Sequence, residues 1–269
     1  MNAKHLLLAI ALSANSFINN VSAAPTVFFG EDLGAGSAAS IPNSIAARNA
    51  FVSRLTSFGL QNFESFSAGD IFPGCCGPLT FSGSSVTANI TGGRILDAPF
   101  NERFAISGTD YLNSSFNQRL TFSSPVAAFG VFVVDANETD NNPATATQNG
   151  QLLSPAEIEA RPFDTIDGIF RIVTERSPGV FELLFDSGTF PAPSSSALFA
   201  GLIDAANPFS NLIFINGTSG LDEAFQDGFG YDDLMLATSD QVKRVPEPGS
   251  LSLLGLALSG LVFIRRRFS

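Results

Sequence analysis

Histidine is nearly absent from this sequence, and tryptophan is absent altogether. The one histidine among 269 residues is His5. A chain without histidine beyond that position excludes Ser-His-Asp and Cys-His catalysis, histidine-bound zinc and histidine proton shuttling. The lack of tryptophan removes the strongest side chain for stacking on sugars. The first function classes to be excluded are therefore the histidine-dependent enzymes.

Basic residues are scarce as well, with 14 Lys and Arg against 25 Asp and Glu. Leaving out Lys4, the three arginines Arg265–Arg267 and the acidic Glu247 gives residues 25–244 a net charge of −14. This charge argues against nucleic acid or an anionic membrane surface as a partner of that segment. Carboxylates are natural calcium ligands, so bound cations are compatible with it. The simpler explanation is that an acidic surface keeps the protein soluble.

The two cysteines, Cys75 and Cys76, are adjacent. If the chain is exported, it meets oxidising conditions, which favour disulfides. The alternatives are a vicinal disulfide, an intermolecular bridge or two free thiols. Neighbouring Cα atoms lie about 3.8 Å apart, below the usual disulfide range, so a vicinal bridge would be strained and would make a rigid loop tip.

The N-terminus has the pattern of a secretory signal peptide. Lys4 and His5 precede the apolar run Leu6–Leu12, and small residues follow at Val21–Ala24. We expect cleavage after Ala23 or Ala24, and the apolar run is too short to span a membrane. The chain then divides into a signal peptide at 1–24, a domain at 25–240, and a linker and C-terminal segment at 241–269.

The C-terminal segment has three parts in a fixed order. Val245, Pro246, Glu247 and Pro248 come first, an uncharged apolar run fills 249–264, and Arg265, Arg266 and Arg267 follow. The two prolines fix φ and remove backbone donors, which predicts an extended and accessible motif. As a helix the apolar run would be about 24 Å long, enough to cross a slightly thinned bilayer with snorkelling arginines.

Three consecutive arginines mark the cytoplasmic side of such a helix. They also argue against the alternative, a buried C-terminal helix. The sequence therefore predicts a transmembrane helix over 249–264.

This order of parts resembles the PEP-CTERM sorting signal of Gram-negative bacteria. The resemblance implies export, temporary anchoring in the inner membrane and cleavage near Pro246-Glu247-Pro248 by an exosortase. It also implies a link to exopolysaccharide and biofilm production. In this interpretation Glu247 belongs to a recognition tag and is not a catalytic acid.

Between the two ends the pattern predicts one helix and many short strands. Ile41–Phe58 has a helical apolar face, with Ser40 or Asn43 as its cap and Gly59 at its end. The predicted strands are Thr26–Phe29, Gln61–Phe66, Leu79–Gly83, Val86–Thr91, Arg94–Leu96, Arg119–Ser123, Val126–Asp135, Ile169–Thr174, Gly179–Phe185, Ala197–Asp204, Asn211–Asn216 and Tyr231–Thr238. The fold class is therefore mainly β, a jelly-roll-like β-sandwich with one N-terminal helix.

The core should consist largely of phenylalanine, because the chain has 27 Phe and no Trp. The strand Val126–Asp135 is apolar on both faces, which predicts a central strand buried on both sides. One face carries Phe129, Val131 and Val133, and the other carries Phe132 and Val134.

Two places pair a carboxylate with apolar neighbours. In the last predicted strand, Asp232 shares a face with Leu234 and Leu236, which directs it toward the core. Glu64 is flanked by phenylalanines in Phe63–Phe66. A buried carboxylate needs hydrogen bonds or a metal.

The C-terminal part of the domain, from Phe199 to Leu234, resembles exported β-sandwich domains that carry this sorting tag. Jelly-roll carbohydrate-binding modules often hold a structural calcium between their first and last strands. That resemblance implies Glu64 with Asp232 or Asp233 as calcium ligands. The alternative is that these carboxylates accept backbone N–H groups.

The function expected is a structural or adhesive role, as an exported protein within or beside extracellular polysaccharide, without catalytic residues. The alternative is a carbohydrate-binding module with a calcium-stabilised jelly roll, which needs an exposed aromatic platform from Tyr111, Tyr231 and exposed phenylalanines. A third hypothesis is a histidine-free hydrolase with two facing carboxylates. A sandwich fold does not by itself choose among these functions.

Overall fold

The computed structural model describes residues 24–74, 76–114, 117–136, 170–187, 193–215 and 228–243. These residues hold one α-helix, α1 (Pro42–Val52), and thirteen strands. The strands are β1 (Thr26–Asp32), β2 (Gly59–Gln61), β3 (Leu79–Thr80), β4 (Thr87–Ile90), β5 (Arg94–Leu96), β6 (Tyr111–Ser114), β7 (Gln118–Val126), β8 (Ala128–Val134), β9 (Arg171–Ser177), β10 (Val180–Asp186), β11 (Ala197–Ile203), β12 (Phe209–Ile215) and β13 (Phe229–Ala237).

The strands form two antiparallel sheets. Sheet 1 has the order β1-β11-β8-β13-β6-β5, with β2 also paired to β13, and sheet 2 has the order β10-β9-β12-β7-β4-β3. The main apolar core takes side chains from both sheets, and the rings of Phe129 on β8 and Phe214 on β12 lie 5.7 Å apart. The sheets therefore pack face to face, and the predicted mainly-β fold with one helix is confirmed.

The strand predicted to be central, β8, lies between β11 and β13, and every one of its residues is buried. Phe129, Val131 and Val133 belong to the core between the sheets. Phe132 and Val134 belong to a second apolar cluster on the opposite face. The apolar character of both faces is explained by this position.

Helix α1 covers that second face of sheet 1. Its Phe51 is fully buried, 5.7 Å ring to ring from Phe199 on β11. Gly130 and Gly201 lie beneath Phe51, where an added Cβ would overlap an aromatic ring. The small residues of β8 and β11 therefore let the helix approach the sheet closely.

The helix is shorter than predicted and is capped differently. It ends at Val52, and the segment 53–57 instead bonds to residues 241–243. Neither predicted cap acts at its N-terminus: the N-cap position is Ile41, without a side-chain hydrogen bond. Asp32, at the end of β1, accepts from the N–H groups of Asn43 at 3.0 Å and Ser44 at 2.8 Å. A carboxylate from a strand thus satisfies the free N–H groups of the first turn.

Other boundaries differ for local reasons. The predicted strand Gln61–Phe66 is wrong beyond Gln61, because Phe63 has φ 62° and turns the chain. Strand β6 was not predicted from its sequence, Tyr-Leu-Asn-Ser, which has no clear alternation.

Residues 1–23 of the predicted signal peptide and the sorting segment from residue 244 onward lie outside the described residues, as does Cys75. Cys76 is half-buried against the main core. No helix in the described ranges is both long and apolar enough to cross a membrane.

Candidate functional site

The acidic pair Asp232-Asp233 lies at a β-bulge in β13. Asp232 pairs with Phe132 of β8 and Met235 pairs with Gly130, so β13 advances three residues while β8 advances two. Asp233 has φ 46°, in the left-handed region. An extra residue of this kind bends a strand and changes the direction of its side chains.

The bulge changes which side chains share a face. Leu234 and Leu236 join the core between the sheets, together with Tyr231. Asp232 follows Tyr231 directly and lies on the opposite face of the strand. The prediction that Asp232 is buried is confirmed, but the prediction that it shares a face with Leu234 and Leu236 is wrong.

The carboxylate of Asp232 is completely buried and is held by backbone groups. Its Oδ2 accepts from the N–H of Ile106 at 2.7 Å and of Ser107 at 3.0 Å. Its Oδ1 accepts from the N–H of Asp233 at 2.7 Å. Three N–H donors thus take the place of water around a buried carboxylate.

The other two predicted ligands hold the same turn, residues 106–110. The Oγ of Ser107 donates to Asp233 Oδ1 at 2.6 Å. Glu64 Oε1 accepts from the N–H groups of Thr109 at 2.8 Å and Asp110 at 2.7 Å. Residues predicted from distant parts of the sequence therefore meet on one turn.

Gly108 allows this arrangement. It has φ 62°, and a Cβ there would overlap the carboxylate of Glu64. A residue with a side chain would be strained at this φ and would displace Glu64.

The close packing of these acids changes their ionisation. Burial raises the pKa of Asp232 well above its ordinary value, and the charge of Asp233 raises it further, while the three N–H bonds act in the opposite direction. Burial also raises the pKa of Asp233, with Ser107 and Arg48 lowering it and Glu64 raising it. Both aspartates are therefore harder to ionise in the folded protein than in the unfolded chain.

The calcium hypothesis can be compared with the hydrogen bonds that the carboxylate oxygens of Glu64, Asp232 and Asp233 already accept. Calcium takes six to eight oxygen ligands. Both oxygens of Asp232 and one oxygen each of Asp233 and Glu64 already accept hydrogen bonds. In the part of the chain that the structure describes, no group of three or more His, Cys, Asp or Glu is arranged to hold a metal ion. These residues, as arranged here, fit the hydrogen-bonding alternative better than a calcium site.

The predicted aromatic platform loses both tyrosines. Tyr111 and Tyr231 are each only 1% exposed. Tyr231 packs against Phe214 with ring centroids 5.4 Å apart, and the Tyr111 hydroxyl donates to the carbonyl of Ala98 at 3.3 Å. Neither tyrosine can therefore belong to the exposed platform that a carbohydrate-binding module would need.

Two buried ion pairs were not anticipated. Arg103 lies 3.6 Å from Asp135, with both side chains almost fully buried. Arg171, completely buried on β9, donates from Nε to Asp186 Oδ2 at 2.7 Å, and its two terminal nitrogens make no hydrogen bond within the described residues. Nothing in the local sequence marks these arginines, because their burial depends on strand pairing.

Residues 241–243, which the sequence predicts to be the start of the linker, are hydrogen-bonded to the folded domain. The carbonyl of Gln241 accepts from the N–H of Thr56 at 2.7 Å, and the N–H of Lys243 donates to the carbonyl of Arg54 at 2.8 Å. Lys243 Nζ also donates to the carbonyl of Ser53 at 2.8 Å, at the end of α1. The chain is thus bound to the domain as far as Lys243.

The segment that follows matches a known family motif. Residues 244–267 match the PEP-CTERM protein-sorting motif. The chain carries a PEP-CTERM sorting motif. This confirms the resemblance inferred from Val245–Pro248 and Arg265–Arg267. The PEP-CTERM motif marks exosortase substrates, and it implies an exported, membrane-anchored precursor that exosortase cleaves.

The match begins immediately after Lys243, the last described residue. The folded domain and the PEP-CTERM motif are therefore contiguous in the chain. Comparisons with curated proteins and with solved structures gave no match.

Proposed function

We propose that this protein is delivered by export and exosortase cleavage to the cell surface or extracellular matrix, where a jelly-roll-like sandwich has a structural or adhesive role beside exopolysaccharide. The observation that carries the proposal is the PEP-CTERM motif at residues 244–267, directly after a domain bound together as far as Lys243. The apolar run 249–264 serves as the temporary transmembrane anchor. A signal peptide over residues 1–24 starts the export.

The chemistry of the domain supports a role without catalysis. The chain has no histidine beyond His5. The buried carboxylate of Asp232 is occupied by backbone N–H groups, and Asp135 and Asp186 are occupied by arginines. These carboxylates stabilise the fold, and a structural role at the cell surface does not require them to act as catalytic acids.

The test compares variants in the native host. Replacing Pro246, Glu247 and Pro248 together by alanine should leave the precursor in the inner membrane and out of the matrix fraction. Replacing the exposed Pro78 by alanine is the control, and it should leave delivery unchanged. In a strain from which the gene has been deleted, biofilm mass should fall. It should recover when the wild-type gene is restored but not when the variant with alanine at Pro246, Glu247 and Pro248 is supplied.

Normal delivery of the motif variant would contradict the sorting step. Normal biofilm and matrix cohesion in the deletion strain would contradict the structural role and leave the sorting step standing.

A carbohydrate-binding module is the second candidate, and one exposed aromatic residue favours it. Phe100 is 51% exposed, and the guanidinium of Arg103 lies 5.6 Å from its ring centre. An exposed aromatic ring is a surface on which a sugar can stack. Glycan-array binding that is lost in Phe100→Ser but kept in Leu33→Ser would support this candidate.

A structural calcium ion is part of this carbohydrate-binding hypothesis. A rise in melting temperature with calcium that is reversed by EDTA and absent in Asp233→Asn would support a calcium-stabilised module. The same melting temperature in calcium and in EDTA would count against it.

A further inference from the structure

A cleft of about 440 Å³ lies at the end of the domain where the chain leaves it. Its lining includes Ala24 and Thr26 at the start of the described chain and Val242 and Lys243 at its end. Arg54, which follows α1, also lines it. Cleavage of the signal peptide after Ala23 or Ala24 places the new N-terminus at this cleft. Both ends of the exported domain therefore meet at one surface.

The sorting motif holds that surface close to the membrane. Only residues 244–248 separate Lys243 from Gly249, the first residue of the apolar run. Six Cα steps of at most about 3.6 Å give a reach of roughly 22 Å. Because residues 241–243 are bonded to residues 53–57, the linker gains no further length from the domain. Before exosortase cleavage, the cleft must lie within that distance of the bilayer.

The charge of the cleft differs from that of the whole domain. Arg54 and Lys243 are exposed at its rim. Its acid, Asp204, is buried, 3.3 Å from the guanidinium of Arg176 and hydrogen-bonded by the N–H of Asn207. The new N-terminal ammonium group adds a further positive charge. The cleft therefore presents cations in a domain whose residues 25–244 carry a net charge of −14.

The anchor forces this acidic domain against a membrane that repels most of its surface. The orientation with the least repulsion turns the basic cleft toward the lipid. We propose that the cleft binds the phosphate headgroup of an anionic phospholipid in the anchoring membrane. The domain then docks on the bilayer and holds Pro246-Glu247-Pro248 at a fixed height for exosortase.

The docking inference rests on the membrane-anchored precursor and is independent of the role at the cell surface. It also explains release: once the anchor is cut, one weak headgroup contact cannot hold a domain of this charge against an anionic surface.

The test uses the full-length precursor in nanodiscs of phosphatidylcholine, with or without phosphatidylglycerol. Hydrogen exchange should be slower in residues 53–57 and 239–243 when phosphatidylglycerol is present. A basic residue near an anionic surface strengthens binding about fivefold, so Arg54→Gln should reduce this protection by about that factor. Arg94→Gln is the matched control, because Arg94 is exposed on β5, at the opposite edge of sheet 1 from β1. An unchanged melting temperature of both variants shows that the fold is intact.

Equal exchange in the two kinds of nanodisc would overturn the proposal, and so would an effect of Arg94→Gln as large as that of Arg54→Gln. Equal protection by inorganic phosphate in phosphatidylcholine nanodiscs would assign the cleft to a soluble anion and overturn the lipid assignment. Exosortase cleavage in the host is read separately. If the wild-type precursor is cleaved normally but shows no lipid-dependent protection, only the docking proposal is overturned. If the wild-type precursor is not cleaved, the proposed sorting is overturned.

Discussion

Asp232→Ala is the substitution that most directly probes the turn at residues 106–110. The carboxylate of Asp232 is fully buried and accepts from the N–H groups of Ile106, Ser107 and Asp233 at 2.7 to 3.0 Å. Alanine removes all three acceptor contacts at once.

The expected cost follows from the number of N–H groups that lose their acceptor. Each buried donor left without a partner costs about 1–3 kcal/mol. Removal of a buried negative charge beside Asp233 recovers part of this, because burial raises the pKa of both aspartates. A net loss of about 3 kcal/mol lowers the melting temperature of a domain of this size by roughly 6–12 °C.

The control is Asp233→Asn. Asn retains an oxygen that can accept from the Ser107 hydroxyl, and it tolerates the φ of 46° at this position. We expect a change of less than about 1 kcal/mol for a substitution without orphaned buried donors. The assay is thermal unfolding of both variants in EDTA, followed by circular dichroism.

An Asp232→Ala variant as stable as the wild type would refute the view that this carboxylate organises the turn. Equal losses in Asp232→Ala and Asp233→Asn would refute the distinction between a carboxylate that serves backbone N–H groups and one that serves a hydroxyl.

Of three further predictions, two concern the same turn and one concerns the Arg171–Asp186 ion pair. Gly108→Ala should destabilise the domain by about 1–3 kcal/mol in thermal unfolding, more than Gly36→Ala, which has a similar φ but open space around it; equal losses would show that Glu64 is not displaced. Asp186→Leu should cost about 3–5 kcal/mol by leaving Arg171 buried without its carboxylate, and adding Arg171→Met should recover most of this; no recovery in the double variant would contradict the role of the pair. Burial raises the pKa of Asp233, so protonated Asp233 stabilises the folded domain at pH values below the ordinary aspartate pKa of about 3.9. This contribution to the free energy of unfolding is lost as pH rises through the raised pKa. The melting temperature of Asp233→Asn relative to wild type should therefore rise with pH above about 4. A difference in melting temperature that does not change with pH would contradict a raised pKa for Asp233.

The features that depend on local sequence were predicted well. Strand β8 could be assigned a central position because Phe129 and Phe132 lie on opposite faces and both faces are apolar. The PEP-CTERM motif could be predicted because the order of Pro246-Glu247-Pro248, the apolar run and the arginines is itself the signal.

The features that depend on tertiary contacts were not predictable in the same way. Asp232 was assigned to the wrong face because a bulge leaves no mark on the alternation of residues. Glu64 reaches the turn at Thr109 through the φ of 62° at Phe63, which sequence alone does not indicate for a phenylalanine. The early end of α1 follows from the hydrogen bonds between Thr56 and Gln241, residues far apart in the chain.

The central claim is that this chain is an exported precursor from which exosortase removes the anchor. The most direct measurement is the intact mass of the protein from fractions of its native host. We expect a chain that begins at Ala24 or Pro25, ends near Pro246–Pro248 and is found outside the inner membrane. A chain that retains residues 249–269 and remains in the inner membrane would contradict this account and would make the apolar run a permanent anchor.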